Sequence, residues 1–95
     1  MNITPEFIEA EATAAFHEGK YLRTIRLGKN QFAQYKELLL SNPKTTSVFL
    51  SGQEEPTLSY WAEKSSVSIR VLDQDDAVIL EIVDELGEVE TRNVL

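Results

Sequence analysis

The stretch SVSIRVLDQDDAVILEIVDELGEV, residues 66–89, contains two apolar runs on either side of an acidic segment at residues 73–76. In the first run Val67, Ile69 and Val71 alternate with polar residues, which is the period of a strand that buries one face. The second run, residues 77–83, is nearly all apolar and rich in β-branched residues, and this favours a strand covered on both faces. Only turn-forming residues separate the runs. The pattern therefore predicts a hairpin with a loop of about four residues, and the second run is the expected central strand.

Two helices are predicted on the N-terminal side of this stretch. Thr4 can cap a helix that begins at Pro5, and Gly19 supplies its end. A second helix is expected over residues 30–41, with Asn30 as its cap. Its buried stripe is predicted from residues at helical spacing, namely Phe32, Tyr35, Leu38 and Leu39.

Further strands are predicted from the alternation of apolar and polar residues at 20–27, 45–50 and 88–95. The last of these is expected to be an edge strand, whose charges discourage aggregation. Residues 57–62 fit either an edge strand or a single helical turn, and the strand is favoured. The first strand, the second helix and the next strand fit a right-handed crossover, which would set its two strands parallel in one sheet.

Together these elements predict an α+β fold in a single domain, residues 1–95. Two helices are expected to pack on one face of a mixed, mainly antiparallel sheet of about five to six strands. The order is α-β-α-β, followed by a C-terminal β-meander. The expected core contains alternating residues of the central hairpin and the apolar faces of the helices: Val67, Ile69, Val71, Val78, Leu80, Ile82, Phe16, Phe32 and Leu39.

Length and composition exclude several classes of protein. The chain has 95 residues and no cysteine, so disulfide scaffolds, thiolate metal sites and cysteine nucleophiles are ruled out. Near the N-terminus Glu6, Glu9 and Glu11 interrupt the apolar residues, and no basic segment precedes them. We therefore expect neither a signal peptide nor a membrane span, and a cytoplasmic location.

The net charge of −7 is unevenly distributed along the chain. Residues 1–19 carry −4, residues 20–53 carry +5 and residues 54–95 carry −8. Between positions 71 and 91 there are eight acidic residues and no basic residue. A field of this sign repels nucleic acid and attracts basic surfaces, although acids on solvent-facing positions can also serve solubility alone.

No catalytic, metal or cofactor site can be assembled from the sequence. The segment at residues 73–76 lacks the spacing of an EF-hand, because Val78 stands where that loop needs glycine and Asp84 where it needs a bidentate glutamate. His17 is the single histidine, so catalytic triads and histidine clusters are excluded. Gly28-Lys29 before a helix resembles an anion site, but a simple strand-to-helix turn is the favoured interpretation. We therefore predict a protein that is not an enzyme and needs no cofactor or metal.

The acidic positions at the predicted turns and on the last strand are the first candidates for binding a partner. We expect their charges to attract a protein with a basic surface. Tyr60 and Trp61 could provide a desolvated anchor if they prove exposed, although a lone tryptophan in so small a protein is more often buried. The predicted partner-binding set is Asp73, Asp75, Asp76, Asp84, Glu85, Glu88, Glu90, Tyr60 and Trp61.

One segment supports a different hypothesis, nucleic-acid binding. Basic residues that could neutralise phosphates are interleaved with aromatic residues over positions 20–36. They are Lys20, Arg23, Arg26, Lys29 and Lys36. The acidic remainder of the chain should weaken such binding, so nucleic acid is the less favoured partner.

The leading functional hypothesis is a small acidic protein-binding module that occupies the surface of its partner. Inhibitors encoded by phages or mobile elements, and immunity proteins that neutralise toxins, are of this size and charge, so the hypothesis is an analogy. A third hypothesis is a structural or assembly subunit that forms homo-oligomers through its helices or edge strands. No stretch matches a family motif closely enough to name a family.

Overall fold

The structure, a computed structural model, describes residues 3–95. In this range it contains two helices and six strands. The helices are α1 (Pro5–His17) and α2 (Lys29–Leu40). The strands are β1 (Tyr21–Leu27), β2 (Thr45–Val48), β3 (Thr57–Trp61), β4 (Ser66–Val71), β5 (Val78–Val83) and β6 (Val89–Asn93).

All six strands form one mixed sheet in the order β2-β3-β4-β1-β5-β6. The β1–β4 pair is parallel and the other four pairs are antiparallel. The predicted α+β fold is therefore confirmed. β1 and β2 run in the same direction, as expected for the crossover, but β3 and β4 lie between them.

Both helices pack on one face of the sheet and share one core. Alternate strand residues such as Ile25, Ile69 and Leu80 are fully buried there beside Ile8 of α1 and Leu39 of α2. The Thr4 hydroxyl accepts a hydrogen bond from the Phe7 amide at 3.1 Å, which confirms the predicted cap of α1. We call the sheet face opposite the helices the open face.

The predicted hairpin between β4 and β5 is wrong, because β1 lies between these two strands. β1 therefore occupies the central position that we had expected for β5. The connecting residues 72–77 cross over the C-terminal end of β1: the Leu72 amide donates to the Leu27 carbonyl at 2.7 Å, and the Gly28 amide donates to the Ala77 carbonyl at 2.9 Å. The hairpins of the C-terminal half are β3–β4 and β5–β6.

Three local predictions about the helices and core also need correction. The N-cap of α2 is Gly28 and not Asn30, because backbone carbonyls of the crossing segment accept the first helical amides. Phe16 is 53 % exposed at the rim of the core, where the Lys64 ammonium lies 4.7 Å from its ring centroid. Leu38 is also exposed, because it lies beyond the stripe of α2 that faces the sheet.

The close crossing at Gly28 gives a test of this topology. A Cβ atom at Gly28 would lie 2.6 Å from the Ala77 nitrogen and 2.7 Å from the Asp75 carbonyl oxygen. Both are backbone atoms, which cannot rotate away. We expect Gly28→Ala to lower the free energy of unfolding by about 1–3 kcal/mol through overpacking. Urea unfolding followed by circular dichroism measures this change.

Gly28→Ser separates the steric effect from helix capping. Serine is a preferred N-cap residue but carries the same Cβ atom. Because the close contact remains, we expect Gly28→Ser to be destabilised as well. A Gly28→Ser protein as stable as the wild type would contradict the close crossing.

Candidate functional site

Glu81 organises the charges of the open face. One carboxylate oxygen lies 2.7 Å from Nε of Arg26 and the other lies 3.1 Å from a terminal nitrogen of Arg23. The Glu81 side chain is only 12 % exposed. The hydrogen bond from Arg26 is the main cause that lowers the pKa of Glu81, and it outweighs the opposing effect of burial. Glu81 is thus shared by two of the cations proposed for nucleic-acid binding.

The sequence pattern did not single out Glu81, because it stands inside the apolar run of β5. A signal was nevertheless present. A lone carboxylate between Ile79 and Val83, on a strand expected to be covered on both faces, requires a cationic partner on a neighbouring strand. Arg23 and Arg26 supply it from β1.

The backbone of the acidic segment at residues 73–76 caps α2, while the four residues remain exposed. The Lys29 amide donates to the Gln74 carbonyl at 2.8 Å, and the Asn30 amide donates to the Asp75 carbonyl at 2.9 Å. The Asp76 carboxylate accepts the side-chain amides of Gln31 at 2.9 Å and of Asn30 at 3.1 Å. These two bonds, that of Gln31 first, lower the pKa of Asp76. The chain itself therefore occupies the helix terminus that resembled an anion site.

Of the other predicted partner-binding acids, some bond within the fold and the rest have unpaired side chains. Asp84 accepts the Leu86 and Glu88 amides, each at 2.9 Å, and so shapes the β5–β6 turn. Glu90 forms ion pairs with Lys20 at 3.2 Å and with Arg92 at 3.4 Å. Hydrogen bonding, first from Lys20 and then from Arg92, lowers the pKa of Glu90. Asp73 pairs with Lys29 at 3.0 Å. Of the predicted partner-binding acids, only Asp75, Glu85 and Glu88 have side chains that form no hydrogen bond or ion pair within residues 3–95.

Tyr60 and Trp61 point to opposite faces of β3. Tyr60 is 2 % exposed and belongs to the core under the helices, where burial is the main cause that raises its pKa. Tyr60 is therefore not available as a surface anchor. Trp61 is 58 % exposed on the open face. Of the two residues, only Trp61 is exposed as the predicted surface anchor requires.

The end of the edge strand β2 and the two residues after it are apolar and exposed. Residues 45–50 contain no charged side chain. Val48, Phe49 and Leu50 are consecutive and are 54 %, 66 % and 47 % exposed. By contrast, the opposite edge strand β6 carries Glu90 and Arg92. Natural edge strands commonly bear such charges because they discourage pairing with another chain. The uncharged run at 45–50 was visible in the sequence, but its edge position was not.

Every cation of the predicted nucleic-acid segment already has an acidic partner. In addition to the Glu81 cluster and the Lys29–Asp73 pair, Lys20 binds Glu90 at 3.2 Å and Lys36 binds Glu55 at 2.9 Å. A phosphate backbone would have to compete with these carboxylates for the cations. The geometry thus disfavours an exposed basic surface on this segment.

Searches for metal sites, membrane spans and relatives give no functional assignment. Among the described residues, no three histidine, cysteine, aspartate or glutamate side chains are placed to share a metal ion. Neither helix in residues 3–95 has the length and apolar character needed to cross a membrane. No family model, curated protein or solved structure matches the chain.

The buried ion pairs of Glu81 predict a specific dependence of stability on pH. The folded-state pKa of Glu81 lies below its ordinary value of 4.5. Ionised Glu81 therefore contributes stability above about pH 4.5, and this contribution is lost as the pH falls through the lowered pKa. At pH 7 we expect Glu81→Gln to reduce the free energy of unfolding by about 1–3 kcal/mol. The difference from the wild type should shrink on acidification below pH 4.5.

Glu85→Gln is the matched control, because Glu85 is exposed in the β5–β6 turn. Denaturant unfolding of the three proteins between pH 7 and pH 3 checks both expectations. We expect Glu85→Gln to follow the wild type closely. A Glu81→Gln deficit that stays constant over this range would show that the charge of Glu81 does not stabilise the fold.

Proposed function

We propose that this protein is a protein-binding module that takes an extended segment of its partner along the free edge of β2. The observation that supports this is the uncharged edge of β2, which continues into the exposed residues Val48, Phe49 and Leu50. An extended peptide can add a strand to such an edge through main-chain hydrogen bonds, while side-chain contacts give specificity. Trp61 is exposed on the adjacent strand, beside the start of β2 and at the opposite end of the β2–β3 pair from Val48. It supplies a second, aromatic contact of the type that dominates interface energetics.

The backbone of β2 has an amide directed away from the sheet. The Trp61 amide donates to the Lys44 carbonyl at 3.0 Å, and β2 pairs with β3 in continuous antiparallel register. Positions bonded to the partner strand alternate along such a pair, so the Thr46 and Val48 amides face β3. The amide of Ser47 then points outward. It is the donor that an added strand would use.

The charge of the chain supports a basic partner. With a net charge of −7, two copies of the protein would repel each other, whereas a segment rich in lysine and arginine would be attracted. This favours a separate protein over homo-oligomerisation. A module that covers a partner's surface in this way would act as an inhibitor or an immunity protein does, and a chain without cysteine suits the reducing cytoplasm.

Nucleic-acid binding through Lys20, Arg23, Arg26, Lys29 and Lys36 is the weaker alternative. Its cations are paired with carboxylates in the fold. The exposed apolar residues of β2 would have no role in contacts with phosphates. A partner recognised through β2 and Trp61 explains more of the surface.

Three variants test the proposed interface. Ser47→Pro removes the outward amide without removing a bond to β3, and proline is tolerated at such edge positions. Phe49→Ser and Trp61→Ala remove the apolar contacts. A partner captured from lysate should be purified and titrated against each protein by calorimetry. We expect each variant to weaken binding about tenfold or more, because truncation of an interface anchor costs more than about 1–2 kcal/mol.

Leu86→Ser is the matched control, because Leu86 is 82 % exposed in the β5–β6 turn, beside the other edge of the sheet. Its affinity should equal that of the wild type. Hydrogen exchange at the Ser47 amide should also slow when the partner binds. A partner that binds the three interface variants as tightly as the wild type would contradict strand addition at β2.

A further inference from the structure

A groove of about 670 Å³ lies near the C-terminal ends of the parallel strands β1 and β4. The β2–β3 loop and the start of the β4–β5 connection form its walls. Its charged lining residues are Arg26, Lys29, Arg70, Asp73, Glu54 and Glu55. Pro56, Val71 and Leu72 contribute apolar lining. A volume of this size is in the range of sites for small ligands, about 300–1,000 Å³.

Arg70 differs from every other cation of the described chain. Eight of the nine lysine and arginine residues lie within 4.0 Å of a carboxylate, as their ion pairs show. Within residues 3–95 Arg70 forms no ion pair and no side-chain hydrogen bond. In a protein with sixteen acidic residues, this leaves one arginine without a carboxylate, and it lies in the groove.

Arg26 stands beside Arg70 on the neighbouring strand. The two residues are register partners in the parallel β1–β4 pair, so their side chains leave the same face of the sheet at about the strand spacing of 4.8 Å. Glu81 engages only Nε of Arg26, and in the described chain the terminal nitrogens of Arg26 form no hydrogen bond. Arg70, and the terminal nitrogens of Arg26, are thus donors on neighbouring strands that no carboxylate of the described chain engages.

The acids that line the groove do not pair with Arg70. Asp73 is paired with Lys29 at 3.0 Å, and Glu55 is paired with Lys36 at 2.9 Å. Glu54 is exposed and forms no ion pair in the described part of the chain. The groove therefore contains donors of Arg70 and Arg26 that are free, with one unpaired carboxylate, Glu54, in its wall.

We propose that this groove binds the oxyanion of a small ligand, a carboxylate or a phosphate, through Arg70, with the terminal nitrogens of Arg26 as further donors. The planar guanidinium presents paired donors that match both groups, and such charge-assisted bonds are among the strongest polar contacts. The site is separate from the edge of β2. Its existence does not depend on the protein-binding function proposed above.

Titration with simple anions tests this site. Inorganic phosphate and acetate are added to isotopically labelled protein, with sodium chloride at matched ionic strength as the reference, and amide shifts of Val71 and Leu72 are followed by NMR. We expect saturable shifts with phosphate, acetate or both, and the anion that binds more tightly identifies the oxyanion chemistry. Shifts that chloride reproduces would show screening alone and would overturn the proposal.

Charge variants provide the second arm. Arg70→Gln should raise the dissociation constant of the anion about tenfold or more, because it removes a charge-assisted pair of bonds. Glu54→Gln should lower that constant, since it removes a like charge from the groove wall. Arg92→Gln, an exposed arginine outside the groove, should leave it unchanged. Wild-type affinity in Arg70→Gln would overturn the site. If Arg70→Gln fails to fold, the Glu54→Gln variant provides the test. An anion affinity in Glu54→Gln no higher than that of the wild type would also overturn the site.

Discussion

The close crossing of residues 72–77 over Gly28 is the constraint on which the topology depends. This segment carries the chain from β4 across the end of β1 to β5, and so it places β1 between two strands that are consecutive in sequence. The crossing brings backbone atoms within 3 Å of where a side chain would begin at Gly28. The Asp75 carbonyl, which is one of these atoms, and the Gln74 carbonyl accept the first amides of α2. Strand order and helix capping are therefore settled by one contact.

The crossing also explains how so acidic a segment is accommodated. The N-terminus of α2 carries a partial positive charge, and Asp73 and Asp76 lie there with Lys29 and the side-chain amides of Gln31 and Asn30. Much of the charge asymmetry seen along the sequence is thus satisfied within the fold. Positive residues of 20–53 pair with negative residues of 54–95 between strands at Glu81, and between α2 and the connections at Asp73 and Glu55. The net negative charge that remains lies on helices as well as turns.

Periodicity predicted the elements well, because burial of one face of each helix or strand leaves a local pattern. Strand pairing left no such pattern. Alternation in β4 and β5 shows that each strand buries a face, but it does not show that β1 separates them. Exposure was equally difficult to predict for neighbours on one strand. Tyr60 and Trp61 are both aromatic and point to opposite faces of the sheet, and which one is buried depends on the face that the helices cover. Glu81 was missed because it stands within an apolar run, and the sequence does not show that Arg23 and Arg26 lie on the neighbouring strand.

The two sites proposed for ligands share one structural element, the segment 49–56 between β2 and β3. Phe49 and Leu50 at its start extend the exposed edge, whereas Glu54 and Pro56 at its end line the groove. A partner strand on β2 would order the beginning of this segment, and an anion beside Arg70 would interact with its end. If one ligand changes the affinity for the other through this segment, the second must change the affinity for the first by the same factor, because binding free energies are linked reciprocally. Because both ligands would contact this one short segment, we expect each of them to affect the binding of the other.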